Sequence, residues 1–177
     1  MSVGKYGLSA QTFKQLLDGS YGGATPEGWT KDGNLSTNQN KVYVNNTTGE
    51  VVIAHRGTTG TSQDWFNNAV YGIAGDSGYE LSGRYKKAQR IQRKTEKKYG
   101  AKNVTTIGHS QGGLLAQKLG GNSKEIITLN KASRPGDVLR FKKQKNQTDV
   151  RTSGDVVSMF KNPFEKKGKD LTIQSDT

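Results

Sequence analysis

An α/β fold with a mostly parallel central sheet flanked by helices follows from three features of the sequence. Short apolar and β-branched runs alternate with helical stretches in the order β-β-α-β-α-β, with further β candidates near the end. The stretch from Tyr79 to Tyr99 has clear helical periodicity. A Gly-x-Ser-x-Gly pentapeptide stands between a β-branched strand and an apolar helix.

Each element has a local justification. The first helix is expected from Ser9 to Asp18, with Ser9 as its cap, Phe13, Leu16 and Leu17 on one face, and Gly19 as its end. Gly19 to Asn40 is rich in Gly, Ser, Thr and Asn and reads as loop. Lys41 to Asn45 alternates polar and apolar residues, and Asn46-Thr47-Thr48-Gly49 is a turn signal. The apolar run Val51-Val52-Ile53-Ala54 then reads as a buried strand, closing an antiparallel hairpin.

In the long helix, Leu81, Tyr85, Ala88, Gln92, Thr95 and Tyr99 recur at spacings of three and four. Arg84, Lys86, Lys87, Arg90, Arg93, Lys94, Lys97 and Lys98 are assigned to a basic outer face, and Gly100 closes the helix. Asn103 to Ile107, Glu125 to Leu129, Thr148 to Thr152 and Asp170 to Gln174 are the later strand candidates. Gln111 to Leu119 is a helix ended by Gly120-Gly121.

The 177 residues suit one domain covering 1–177. Lys and Arg number 27 against 15 Asp and Glu, giving a net charge of +12, and the mean hydropathy is −0.81. No apolar run is long enough to span a bilayer, and no signal peptide is visible at the N-terminus. An intracellular or particle-associated location is therefore expected rather than ordinary secretion. Cysteine is absent, which excludes disulfides and thiolate chemistry. Two histidines and no acidic cluster argue against a transition-metal site, and no cofactor is expected. The basic excess reads either as attraction to an anionic surface or as solubility. Nucleic-acid binding would be non-specific, because no helix-turn-helix, zinc finger or stacking platform is recognisable.

Gly108-His109-Ser110-Gln111-Gly112 carries the chemistry. A serine on a sharp strand-to-helix turn projects above the carboxyl edge of a sheet, and Gly is needed at both flanks for clearance. The first free N–H of the following helix, on Gln111, is an oxyanion donor.

Three segments together resemble the lipase class 3 branch of the α/β-hydrolases, over roughly residues 41 to 160. They are Val51-Val52-Ile53-Ala54-His55-Arg56-Gly57-Thr58 with Asp64-Trp65, the elbow continued by Gly113-Leu114-Leu115-Ala116, and Ser153-Gly154-Asp155-Val156-Val157. The resemblance implies an α/β-hydrolase-like domain in a compact version. It implies Ser110 as nucleophile, Thr58 with Gln111 as the oxyanion hole, and Asp155 as the acid that orients a histidine. Arg56 and Asp64, with Gly108 and Gly112, would support the turns. Phe66 to Ser77 lies where the family often places a lid. Asp137 is an alternative acid by position; Asp149 and Asp176 are expected to be solvated.

The family's order is Ser, Asp, His, and here no histidine follows Ser110. His55 and His109 are expected to be structural residues. Two expectations remain open. Either the protein continues past Thr177 with a histidine soon after the strand at Asp170–Gln174, or it is a hydrolase relative without a triad. The first makes it a lipase or phospholipase acting on lipid esters, with an anionic membrane surface as partner. The second makes it a binding or structural component of a larger assembly, for example a virus particle.

Overall fold

The computed structural model describes residues 1–57, 78–131, 143–152 and 171–174, with backbone alone at 78–82, 152 and 171–174. Seven strands of these residues form one sheet in the order β1-β2-β3-β4-β5-β6-β7. They are β1 (Trp29–Lys31), β2 (Asn40–Asn45), β3 (Val51–His55), β4 (Val104–His109), β5 (Glu125–Leu129), β6 (Gln147–Thr152) and β7 (Leu171–Gln174). The central four, β3 to β6, are mutually parallel. The flanking pairs β1–β2, β2–β3 and β6–β7 are antiparallel. With helices on both faces this is the α/β-hydrolase-like architecture that the alternation of elements predicts.

Helix α1 (Ala10–Ser20) starts as expected: Ser9 is the N-cap, and its hydroxyl accepts from the Thr12 N–H at 3.1 Å. It does not stop at Gly19. The Ser20 hydroxyl donates to the Leu17 carbonyl, and the cap is Tyr21. Gly19 serves contact instead of termination, because a Cβ there would overlap the Tyr43 hydroxyl. The expected loop at 19–40 also contains β1. Its three residues are half-buried to exposed at the sheet edge, so burial leaves no periodic signal there.

Alternation along the strands sorts the core. Phe13, Leu16 and Leu17 of α1 pack with Tyr43, Val52, Ala54 and Ile107 on one face. Each such side chain contributes roughly 1.5–3 kcal/mol by leaving water. Val42, Val51, Ile53 and Val104 point to the other face and meet Ile91 of α2 (Gly78–Tyr99). Helix α3 (Gln111–Leu119) packs on β4 and β5 beside α2. Glycines at the hairpin turn (Gly49, φ +76°) and after α2 (Gly100, φ +88°) take backbone conformations that disfavour other residues. At the hairpin the Asn45 side-chain oxygen accepts from the Thr47 and Thr48 N–H groups.

Helix α2 presents Lys86, Lys87, Arg90, Arg93, Lys94, Lys97 and Lys98 to solvent, and buries Ala88, Ile91, Gln92 and Thr95. At about 100° per residue the seven cations form one continuous stripe along the helix. Arg84 departs from the expected outer face. It is 8% exposed, because its position on the wheel falls on the buried side with Ala88 and Ile91. Among the described residues no helix is long and apolar enough to cross a membrane.

Candidate active site

The site lies at the carboxyl edge of β3 and β4, where β4 passes into α3. Ser110 has φ +57° and ψ −120°, a backbone conformation that non-glycine residues rarely adopt. Its N–H donates to the Leu129 carbonyl at 3.1 Å, and its carbonyl accepts from the Gly113 N–H at 3.0 Å. The strained residue is therefore pinned to the end of β5 on one side and to the first turn of α3 on the other. Strain of this kind persists only where the surroundings over-determine it.

The flanking glycines are required by contact. A Cβ on Gly108 would overlap the Gly112 carbonyl, and a Cβ on Gly112 would overlap the His55 carbonyl. Gly57, just beyond β3, approaches from the neighbouring strand: a Cβ there would stand 2.9 Å from the His109 carbonyl oxygen and 3.4 Å from the Ser110 Cβ. The turn after β3 thus lies directly against the serine. Gln111 is the first residue of α3, so no helical carbonyl takes its backbone N–H. Both Ser110 (6% exposed) and Gln111 (4%) are buried among the described residues.

The residues expected from sequence divide into two sets. Ser110, Gln111, Gly108, Gly112 and Arg56 come together around the elbow. Thr58, Asp64 and Asp155, the Phe66–Ser77 segment, Asp137 and Asp176 lie outside the described residues. Asp155 stands three residues after the end of β6, the second strand beyond β4 in the sheet.

Both histidines are held in place. His55 is fully buried, with Nδ1 2.9 Å from the Asn40 amide nitrogen and Nε2 3.0 Å from the Gln92 side-chain oxygen. An amide nitrogen donates and an amide oxygen accepts, so His55 is the neutral Nε2–H tautomer with both nitrogens engaged. Burial pushes its pKa down to about 4. His109 points the other way, toward α1, where its Nδ1 is 2.6 Å from the Tyr21 hydroxyl. Burial pushes it down to about 3.

Two residues that sequence reasoning missed brace the elbow. The Tyr21 hydroxyl accepts from the Gly57 N–H at 2.9 Å and is hydrogen-bonded to His109 Nδ1 at 2.6 Å. One phenol therefore ties the turn after β3 to the residue before the serine. Burial outweighs the Gly57 N–H and raises the Tyr21 pKa to about 12, so it stays protonated. Arg84 reaches from α2 to the Arg56 carbonyl and, at 3.5 Å, to the Gln111 side-chain oxygen. Nothing in the local sequence marks either residue, since their partners are distant in the chain.

Asp149 is a further correction. It is 4% exposed on β6 and not solvated. Thr128 donates to one carboxylate oxygen at 2.6 Å and Gln147 at 2.7 Å, and Lys131 lies 3.2 Å from the other. Burial alone would raise its pKa, but these donors hold it below the usual range.

A strained serine on a strand–turn–helix, with a neighbouring-strand turn against it and a helix N-terminus behind it, fits the α/β-hydrolase-like fold of the sheet. A family model described as a Tle-like phospholipase domain matches residues 10–160, and the chain belongs to that family. The match reaches α1, beyond the start of the resemblance read from sequence. No curated protein and no solved structure gives a significant match.

Proposed function

We propose that the protein is a serine phospholipase that cleaves carboxylic esters of phospholipids through an acyl-enzyme. The observation that carries this reading is the positive-φ Ser110 between β4 and α3 in a chain of the phospholipase-like family. Ser110 Oγ attacks the ester carbonyl carbon as its proton passes to a general base, a role for which the resemblance implies a histidine oriented by Asp155. The oxyanion is held by the N–H groups of Gln111 and Thr58. Collapse breaks the carbon–oxygen bond, and the leaving alcohol takes the proton back from that base. Water, deprotonated by the same base, then releases the fatty acid and restores Ser110.

His55 is excluded as that base, because its two nitrogens are engaged by Asn40 and Gln92. The role falls to a group outside the described elbow. Arg56, Asp64, Gly108 and Gly112 support the turns. The basic stripe of α2 adds a surface suited to an anionic membrane, where such a substrate resides.

A fluorophosphonate probe separates this reading from a binding protein built on the same fold. Stoichiometric labelling of Ser110, with fatty acid released from phospholipid vesicles, supports the hydrolase. Ser110→Ala should lower turnover by at least about a thousandfold and leave the melting temperature within a few degrees. Unchanged turnover in that variant would overturn the assignment.

A further inference from the structure

Beside the elbow is a small polar pocket of about 230 Å³, lined by Thr37, Asn38, Gln39, Arg56 and Lys87. Three separate elements build it: the loop before β2, the turn after β3, and the exposed face of α2 nearest the carboxyl edge. Its position is fixed by backbone contacts. The Arg56 N–H donates to the Gln39 carbonyl at 2.9 Å, and the Arg56 carbonyl accepts from Arg84. The backbone of Arg56 thus holds the turn.

The charge in the pocket is uncompensated among the described residues. Among the described residues neither Arg56 nor Lys87 has an ion-pair partner, whereas Lys14, Lys98, Lys124, Lys131 and Lys143 each do. Arg56 Nε is buried with no hydrogen-bond partner among those residues. Lys41, anchored to the Thr37 carbonyl at 2.7 Å, adds a third positive charge, close enough to Arg56 that the repulsion contributes to lowering its pKa after burial. A buried guanidinium donor and two ammonium groups, with no facing carboxylate among the described residues, make a site for a compact anion rich in oxygen acceptors. Arg56 adjoins Gly57, whose Cβ position is 3.4 Å from the Ser110 Cβ. Successive residues of one turn thus reach the pocket, through Arg56, and the serine, through Gly57. In a glycerophospholipid only a few bonds separate the phosphate from the ester carbonyls.

We propose that this pocket binds the phosphodiester group of the lipid substrate, with Arg56 and Lys87 as its cationic ligands, and so makes the enzyme selective for glycerophospholipids over neutral esters. The inference rests on the phospholipase reading for its substrate, but the pocket's anion affinity is measurable without turnover. A free phosphate is the other source of the same chemistry.

The test has two arms. In the first, inorganic phosphate and glycerol 3-phosphate are titrated by calorimetry against the full chain carrying Ser110→Ala. Lys87→Ala, added to it, should weaken binding about tenfold, while Lys94→Ala, which removes an equal charge farther along the same exposed face of α2, should not. Equal loss in both variants, or none in Lys87→Ala, overturns the site. In the second arm, Lys87→Ala in the Ser110 protein is assayed on a phospholipid and on a diacylglycerol of the same chains. A fall of about tenfold in kcat/KM on the phospholipid alone supports the headgroup assignment. Phosphate binding that depends on Lys87, with no selective fall, assigns the pocket to free phosphate and overturns the headgroup role. A wild-type chain with no turnover on either ester counts against the serine hydrolase, while the calorimetric arm still decides the pocket.

Discussion

On one face of the sheet, α1 brings Phe13, Leu16 and Leu17 onto Val52, Ala54 and Ile107. On the other, α2 meets the same strands through Ile91 against Val42, Val51, Ile53 and Val104, and also through polar groups. Gln92, 1% exposed, accepts from His55 and donates to Thr106 at 2.8 Å; Thr106 continues to Ser123 at 3.1 Å. Farther along that face Gln117 accepts from Lys131 and Gln147, and Gln147 donates to Asp149. Apolar packing is non-directional and tolerates small shifts; hydrogen bonds in a low dielectric fix angle as well as distance. The polar face borders the elbow through Gly112, which leaves no room for a side chain against the His55 carbonyl. Apolar packing thus supports both faces, and the directional hydrogen bonds add positional precision on the α2 face.

The largest expected effect is on the apolar face. Phe13→Ala removes a ring with no solvent exposure and should cost about 3–5 kcal/mol in denaturant unfolding. It should leave Ser110 reactive toward a phosphonate probe wherever the protein is folded. Loss of labelling in a still-folded variant would break the division between the faces.

Acid should act on both faces, through one buried histidine each. In the unfolded chain both titrate near 6.5; in the fold His55 is pushed down to about 4 and His109 to about 3. The unfolded state therefore binds more protons as pH falls through this window, so stability is present above about 6.5 and declines below it. Between pH 7 and pH 5, above most of the carboxylate range, each histidine should remove on the order of 2 kcal/mol. Urea unfolding at the two pH values checks this, and equal midpoints would contradict the neutral, buried state of the rings. With His55→Gln in hand the same pair of measurements isolates the polar face.

The contrast between the faces also explains what was legible in the sequence. β5 and α3 match their expected bounds, and Ser9 caps α1 as expected, because periodicity and capping are local signals. The elbow was legible for a similar reason: its two glycines are forced by contacts that recur wherever a serine occupies such a turn. Arg84 and Asp149 were not, since charged residues default to solvent unless distant partners compensate them. For Asp149 those partners are Thr128 on β5, Gln147 on β6 and Lys131 beyond β5. β1 failed as a strand because three edge residues bury too little to leave a pattern.

Tyr21 tests where the two faces meet. It belongs to the apolar face by burial, yet its hydroxyl accepts from Gly57 and is hydrogen-bonded to His109, the residue before Ser110. Tyr21→Phe keeps the ring and its edge-on contact with His109 at 5.7 Å, and removes only the oxygen. Gly57 then loses an acceptor and His109 a hydrogen-bond partner, at a cost of roughly 1–3 kcal/mol. If the hydroxyl serves packing alone, kcat and KM should stay as they are once the variant is folded. If it positions the turn that carries the oxyanion donor, kcat should fall about tenfold with KM little changed, because the lost alignment matters most when charge develops on the carbonyl oxygen. The expected outcome is the second, since this hydroxyl alone, among the described groups, bonds both to the turn after β3 and to the elbow residue before the serine.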